Sequence, residues 1–234
     1  MANLPPITIA FLLFPNVTQL DLTGPAQVLA RLGNARVELV AKARQPVATD
    51  AGFALLPTAT FADAPRADIL CVPGGGGTSD AIEDGETLAW VRAAAGETTW
   101  ITSVCTGALI LGAAGLLRGY RATTHWASHH LLAGFGAIPV RERVVFDRDR
   151  VTGGGVTAGI DFALALAAAI RGEEQAKLIQ LGLEYDPAPP FDAGSPEAAG
   201  AAILARYRER AAALAADRDR RMAEAAERLG GSTG

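Results

Sequence analysis

The chain predicts an α/β fold in three layers, a mostly parallel central sheet with helices on both faces. Three observations carry that prediction. The strand candidates, such as Ile7 to Leu13, are apolar throughout rather than alternating, the pattern of strands buried on both faces. Helix-forming stretches separate them. Turn-rich loops follow three of the strands directly, and in open α/β sheets ligands gather beyond the carboxyl ends of the strands.

Taken in order, Ile7 to Leu13 is the first strand, ended by the turn Phe14-Pro15-Asn16, and Leu22 to Leu32 has helical spacing. Arg36 to Ala41 is a second strand, and Val47 to Leu56 a short hairpin around Ala51-Gly52. Asp68 to Val72 is a buried strand running into Pro73-Gly74-Gly75-Gly76-Gly77, and Glu86 to Ala95 a helix. Trp100 to Val104, a largely β-branched run, is a strand that leads through Cys105 into the small-residue helix Thr106 to Ala114. A strand pair, Arg143 to Phe146 and Arg150 to Thr152, is joined through Asp147-Arg148-Asp149. Then come Gly153-Gly154-Gly155, a buried helix Ala158 to Ile170 and another helix from Glu173 to Leu183.

Beyond Tyr185 the composition shifts to the stiff connector Asp186-Pro187-Ala188-Pro189-Pro190. Ser195-Pro196-Glu197 then opens a last helix, with a capping Ser and Pro at the first helical position. The organisation expected is one α/β domain over residues 1–190 and a helical extension over 191–234. In the extension, Ile203, Leu204, Tyr207 and Leu214 are expected to pack on the domain or on a second subunit, and Asp217 to Gly234 to fray.

With 234 residues, half of them hydrophobic, the chain can bury a sizeable core. A net charge of −4 offers no footprint for nucleic acid or an anionic membrane surface. The apolar run Ala158 to Ile170 is interrupted by Asp161 and too short to span a bilayer. Two cysteines cannot form a disulfide framework, and no leader opens the chain, so a cytoplasmic location is expected.

Cys105 stands on a strand-to-helix turn, a nucleophile elbow, where the first N–H groups of the helix are expected to stabilise a thiolate. Cys71 lies in mid-strand and belongs to the core. A nucleophile also needs donors for the charge that develops on attack. The Thr106 amide, with Gly74 or Gly75 amides from the glycine loop, would form such an anion pocket. That loop lacks the Lys-Ser/Thr pair of a phosphate-binding P-loop.

Asp21 sits near a helix start, either as a cap or as an acid/base carboxyl beside the thiol, with its pKa raised by a neighbouring thiolate. His125 follows the cysteine by 20 residues; it either approaches the sulfur from the next loop or is a hydrogen-bonded imidazole in the wall of the site. His125 and His129 have helical metal-ligand spacing, but no third ligand joins them and no metal site is expected.

Five motifs resemble the ThiJ/PfpI group of the class I glutamine amidotransferase-like superfamily: Phe14 to Pro25, Pro73 to Gly77, Ser103 to Ala108, Ala122 to Trp126 and Thr152 to Asp161. The resemblance covers residues 7 to 185 and implies a flavodoxin-like sandwich and, commonly, a homodimer. Within that group, Asp21 in place of the more usual Glu, the Cys105-Thr106 pair and the stretch Gln180 to Phe191 resemble the isonitrile hydratases. Carried over by position, Cys105 becomes the nucleophile, Asp21 the essential acid/base and Thr106 a neighbour that shapes the site. The substrate implied is a small isonitrile, and no metal or organic cofactor is required.

Thr106 stands where the peptidases of the group carry His, and Asp21 where glyoxalase-like members rely on Glu; both departures argue against those activities. The motif around His125 also resembles the sensor part of AraC-type regulators, but the stretch after Phe191 is too short for the expected helix-turn-helix domain. The alternative from another class is a small-ligand-binding or cysteine-based redox protein of the same superfamily.

Overall fold

The computed structural model describes residues 4–231. In chain order the elements are β1 (Ile7–Leu12), α1 (Gln19–Leu29), β2 (Ala35–Ala41), β3 (Val47–Ala48), β4 (Ala54–Leu55), β5 (Ala59–Thr60), β6 (Ile69–Val72), α2 (Thr78–Glu83), α3 (Gly85–Glu97), β7 (Trp100–Val104) and α4 (Gly107–Ala113). They continue with β8 (Arg121–Ala122), a 3-10 segment (Trp126–Phe135), β9 (Ile138–Pro139), β10 (Val144–Asp147), β11 (Arg150–Gly153), α5 (Ala158–Arg171), α6 (Glu173–Gly182) and α7 (Pro196–Gly231).

The main sheet has the order β10-β11-β7-β6-β1-β2-β5. All its pairings are parallel except that of β10 with β11. Phe11, Ile9, Leu70 and Ile101 are buried along it, as continuous apolar strands require. Helices α1, α5 and α6 pack together on one side, and α2, α3, α4, the 3-10 segment and α7 on the other. This is the three-layer α/β arrangement the apolar strands predict.

The order of the sheet positions the site. β7, β6 and β1 are adjacent and parallel, so the three loops at their carboxyl ends meet at one edge. β1 runs on to β2 on one side and β6 lies on the other, which makes this edge a topological switch point.

Some elements depart from the sequence expectations. Helix α1 begins at Gln19, three residues before Leu22, and therefore includes Asp21 in its first turn. The short β5 and α2 and the 3-10 segment have too few residues or too irregular a pattern to be read from periodicity.

The last helix follows its expectation only in part: Tyr207 packs on Trp126 and Leu204 is half-buried, as expected of the first half. Ile203 and Leu214 face outward at 53% and 79% exposure, whereas Met222 is 1% exposed and Ala225 is buried. Arg221 ion-pairs with Asp80 and Glu83 of α2, and Arg218 donates to the Ala127 carbonyl at 3.0 Å. The Ala-rich second half lets the helix approach closely, and the two arginines bridge the polar rim. The portion expected to fray is thus helical through residue 231 and packed as far as Leu229; residues 232–234 of that expectation lie outside the described residues.

Candidate active site

Cys105 occupies the sharp turn between β7 and α4 with φ +55°, a left-handed conformation unusual for a residue with a side chain. The surroundings hold it there. Its amide donates to the carbonyls of Gly153 and Gly154, at 3.1 and 2.7 Å, and its carbonyl accepts from the Thr124 hydroxyl at 2.7 Å. The strain therefore persists because three neighbours over-determine the turn. Sequence reading passed over Gly153, Gly154 and Thr124 in this role; their glycine-rich and Thr-Thr-His motifs were the available signal.

The glycine loop 73–77 is wedged against the elbow. A Cβ on Gly74 would lie 2.4 Å from Thr106 Oγ1, and one on Gly107 would lie 2.0 Å from the Val72 carbonyl. Substituting either glycine would push the loop off the nucleophile. The same loop is stitched to the β1 loop, with Thr18 donating to the Gly74 carbonyl at 2.9 Å and Gly77 to the Asn16 carbonyl at 3.1 Å.

The Gly74 amide donates to Asp21 Oδ2 at 3.0 Å, and the Gly75 amide to Thr106 Oγ1 at 3.0 Å. Both amides expected to line an anion pocket thus already have acceptors, in Asp21 and Thr106. The Thr106 amide and hydroxyl sit beside the Cys105 sulfur and favour its ionised form.

Asp21 is fully buried, and beside the Gly74 amide on Oδ2 the Cys105 thiol also interacts with its carboxyl. Burial raises its pKa to about 7, against opposing contributions from the Gly74 amide and the Cys105 thiol. Desolvation is therefore the cause, not the neighbouring thiolate that the sequence suggested. A half-protonated carboxyl at neutral pH can both accept and deliver a proton.

Cys105 is 6% exposed. Burial, and then the Asp21 charge, push its thiol well up, and Thr106 offsets this only in part. The expected thiolate at the helix start gives way to a resting thiol, because removal from water outweighs the two donors. Cys71 is also buried and pushed up to about 12, with Thr102 donating to its sulfur at 3.0 Å; it stays in the core as expected.

His125 lies in the wall of a cleft of about 1340 Å³ that also exposes Gly75 and Thr106. Its Nδ1 caps the 3-10 segment by accepting from the Ala127 amide at 3.3 Å. Burial and the Arg218 charge hold its pKa down, and its ring lines the cleft. Leu204, Tyr207 and Arg218 of α7 form the facing wall, and Tyr207 lies 5.2 Å from the Trp126 ring. The extension thus contributes to the site, which its composition did not announce. Among the described residues no group of three or more His, Cys, Asp or Glu could hold a metal ion, and no helix is long and apolar enough to cross a membrane.

The sequence model of the DJ-1/PfpI family matches residues 7–169, which include every strand of the main sheet, Asp21 and the elbow. The chain belongs to the DJ-1/PfpI family. Within it, the chain is 56% identical over 206 residues to an isonitrile hydratase of Pseudomonas putida, a match covering 88% of this chain and 90% of that enzyme. A crystal structure of a ThiJ/PfpI family protein from Pseudomonas syringae superposes with a TM-score of 0.91 at 47% identity, over 94% of this chain and 91% of the other. The HTH-type transcriptional regulator GbdR of Pseudomonas aeruginosa is 31% identical over 79% of this chain and 52% of the regulator. For this DJ-1/PfpI chain, likeness to the hydratase extends beyond the family domain into the helical extension.

Proposed function

We propose that this protein hydrates isonitriles to N-substituted formamides, with Cys105 as nucleophile and Asp21 as acid/base. The observation that carries the reading is an elbow cysteine buried against a carboxyl of pKa about 7, in a chain 56% identical to an isonitrile hydratase.

The terminal carbon of an isonitrile carries a lone pair and takes both sulfur and a proton. Asp21 as carboxylate accepts the Cys105 proton while sulfur bonds to that carbon, and then delivers the proton to the same carbon. The S–H bond is broken, C–S and C–H bonds are formed, and the product is an enzyme-bound thioimidate. Asp21, again ionised, draws a proton from water as its oxygen adds to the thioimidate carbon. One water proton goes to the nitrogen. The other goes to sulfur as the C–S bond breaks and the formamide leaves. The sequence balances with substrate and water alone, so no cofactor is part of the proposal.

The resting thiol suits this addition, since the substrate needs the sulfur and its hydrogen together. It also argues against a redox role, because cysteine oxidation follows exposure and thiolate character, and Cys105 has little of either. The cleft that opens beside Gly75 and Thr106, next to the elbow, offers room for a side group on the isonitrile nitrogen.

Purified protein mixed with cyclohexyl isocyanide is expected to form N-cyclohexylformamide, seen as its formyl proton by NMR. Absence of product from well-folded protein would overturn the reading. A homodimer, in the cytoplasm, completes the proposal; the apolar side chains Ile203 and Leu214 that α7 leaves exposed support the dimer. Sedimentation at micromolar concentration is expected to give a dimer, and a monomer would refute that part alone.

A further inference from the structure

Helix α2 enters the site through its first residue, Thr78, which is buried on the cleft floor beside Thr106. The two hydroxyl oxygens are 2.8 Å apart, and either can donate. The Gly75 amide already donates to Thr106 Oγ1 at 3.0 Å. A threonine hydroxyl has two lone pairs and one hydrogen. If Thr78 donates, both lone pairs of Thr106 are filled by donors and its single hydrogen is free for the adjacent Cys105 sulfur. If Thr106 donates to Thr78 instead, the sulfur receives no hydroxyl proton.

We propose that Thr78 is a positioning residue for the nucleophile: its hydroxyl donates to Thr106 as charge develops on sulfur, and so turns the Thr106 hydroxyl onto Cys105. Hydrogen bonds in such a chain polarise one another, and a bond to a charged sulfur is stronger than one to a neutral oxygen. The orientation that serves the sulfur therefore becomes the stable one as the C–S bond forms or breaks. The far end of α2 is fixed by Arg221 of α7, which pairs with Asp80 and Glu83, so the helical extension helps to hold Thr78 where it acts. The titratable group acting on the sulfur is Asp21 of α1, itself under the charge of Asp50; His125 lines the adjoining cleft and Asp80 is turned onto Arg221.

The proposal deepens the hydration reading, and one of its two tests needs no isonitrile. Thr78→Val keeps the shape and removes the hydroxyl, whereas Thr78→Ser keeps the hydroxyl. The Val variant is expected to lose roughly ten-fold in kcat with KM within about two-fold, as for loss of a hydrogen bond strengthened by charge. In parallel, alkylation of Cys105 by iodoacetamide, followed by peptide mass mapping against pH, is expected to shift its midpoint upward in the Val variant. The Ser variant is expected to restore both. Wild-type kcat and alkylation profile in Thr78→Val would overturn the proposal, and so would a Ser variant as impaired as the Val variant. If no isonitrile is turned over but the alkylation midpoint still moves and Ser restores it, the relay stands and the substrate reading falls.

Discussion

Cys105→Ala is expected to reduce isonitrile turnover by about 10⁴-fold or more, with the melting temperature and circular dichroism close to those of the parent. The loss is large because the thioimidate route requires a covalent bond to sulfur, and removing a nucleophile that acts as a unit with its base removes nearly all of their joint contribution. The fold is expected to survive because the elbow is held by backbone groups and by Thr124: the amide on Gly153 and Gly154, and the carbonyl on the Thr124 hydroxyl. Alanine retains both. Mass spectrometry of the parent trapped with substrate in acid is expected to show the adduct on Cys105, not on Cys71, whose thiol lies in the sheet with its pKa pushed up to about 12. Turnover within ten-fold of the parent in Cys105→Ala would sink the covalent mechanism.

Asp21→Asn is expected to lower kcat by roughly 10²–10⁴-fold, the range for loss of a general acid/base, and at the same time to stabilise the protein above neutral pH. The second effect follows from the sign of the shift. The carboxyl has an ordinary value of 3.8 and a folded value of about 7. Between those values the native state binds more protons than the unfolded state, so stability falls as pH rises through that window. Above pH 7 the folded protein carries the whole penalty, on the order of 4 kcal/mol for a fully buried group. Asparagine can still accept from the Gly74 amide but carries no charge to desolvate. Urea unfolding at pH 4 and pH 8 is therefore expected to show little difference between variant and parent at the lower pH and a clear gain for the variant at the higher. Equal stabilities at both values would show that Asp21 is not held in a desolvated pocket. A group that costs stability where the protein works is what a functional carboxyl, rather than a helix cap, is expected to be.

The two variants also separate the roles within the site. Loss of the sulfur leaves a carboxyl that can still exchange protons but has nothing to carry the substrate. Loss of the carboxyl leaves a thiol that burial keeps protonated, so raising the pH is expected to recover part of the Asp21→Asn turnover and none of that of Cys105→Ala.

The sequence alone determined the layered fold, the elbow at Cys105 and the convergence of three loops on it. Those features rest on local signals: continuous apolar strands, the change from β-branched to small residues at Cys105, and glycines after Val72. Periodicity reports which face a residue buries and where a strand turns into a helix. Only the tertiary structure decided what those residues do to one another. Gly74 and Gly75 read as free donors until the packing of three loops set Asp21 and Thr106 against them. Cys105 read as a thiolate because a helix start is visible in sequence, whereas the burial that outweighs it comes from Asp21, the glycine loop and the β11 loop, all distant along the chain. Thr78 carried no local signal, since a hydroxyl 28 residues away acquires its role only when the sheet brings the two loops within 2.8 Å. The last helix shows the same division. Its larger apolar residues favoured docking of its first half, where Tyr207 does meet Trp126, yet the second half docks as well, because close approach depends on small side chains meeting a complementary surface, and on Arg221 finding Asp80 and Glu83 there. Desolvation and close packing are properties of the assembled neighbourhood, and no single segment contains them.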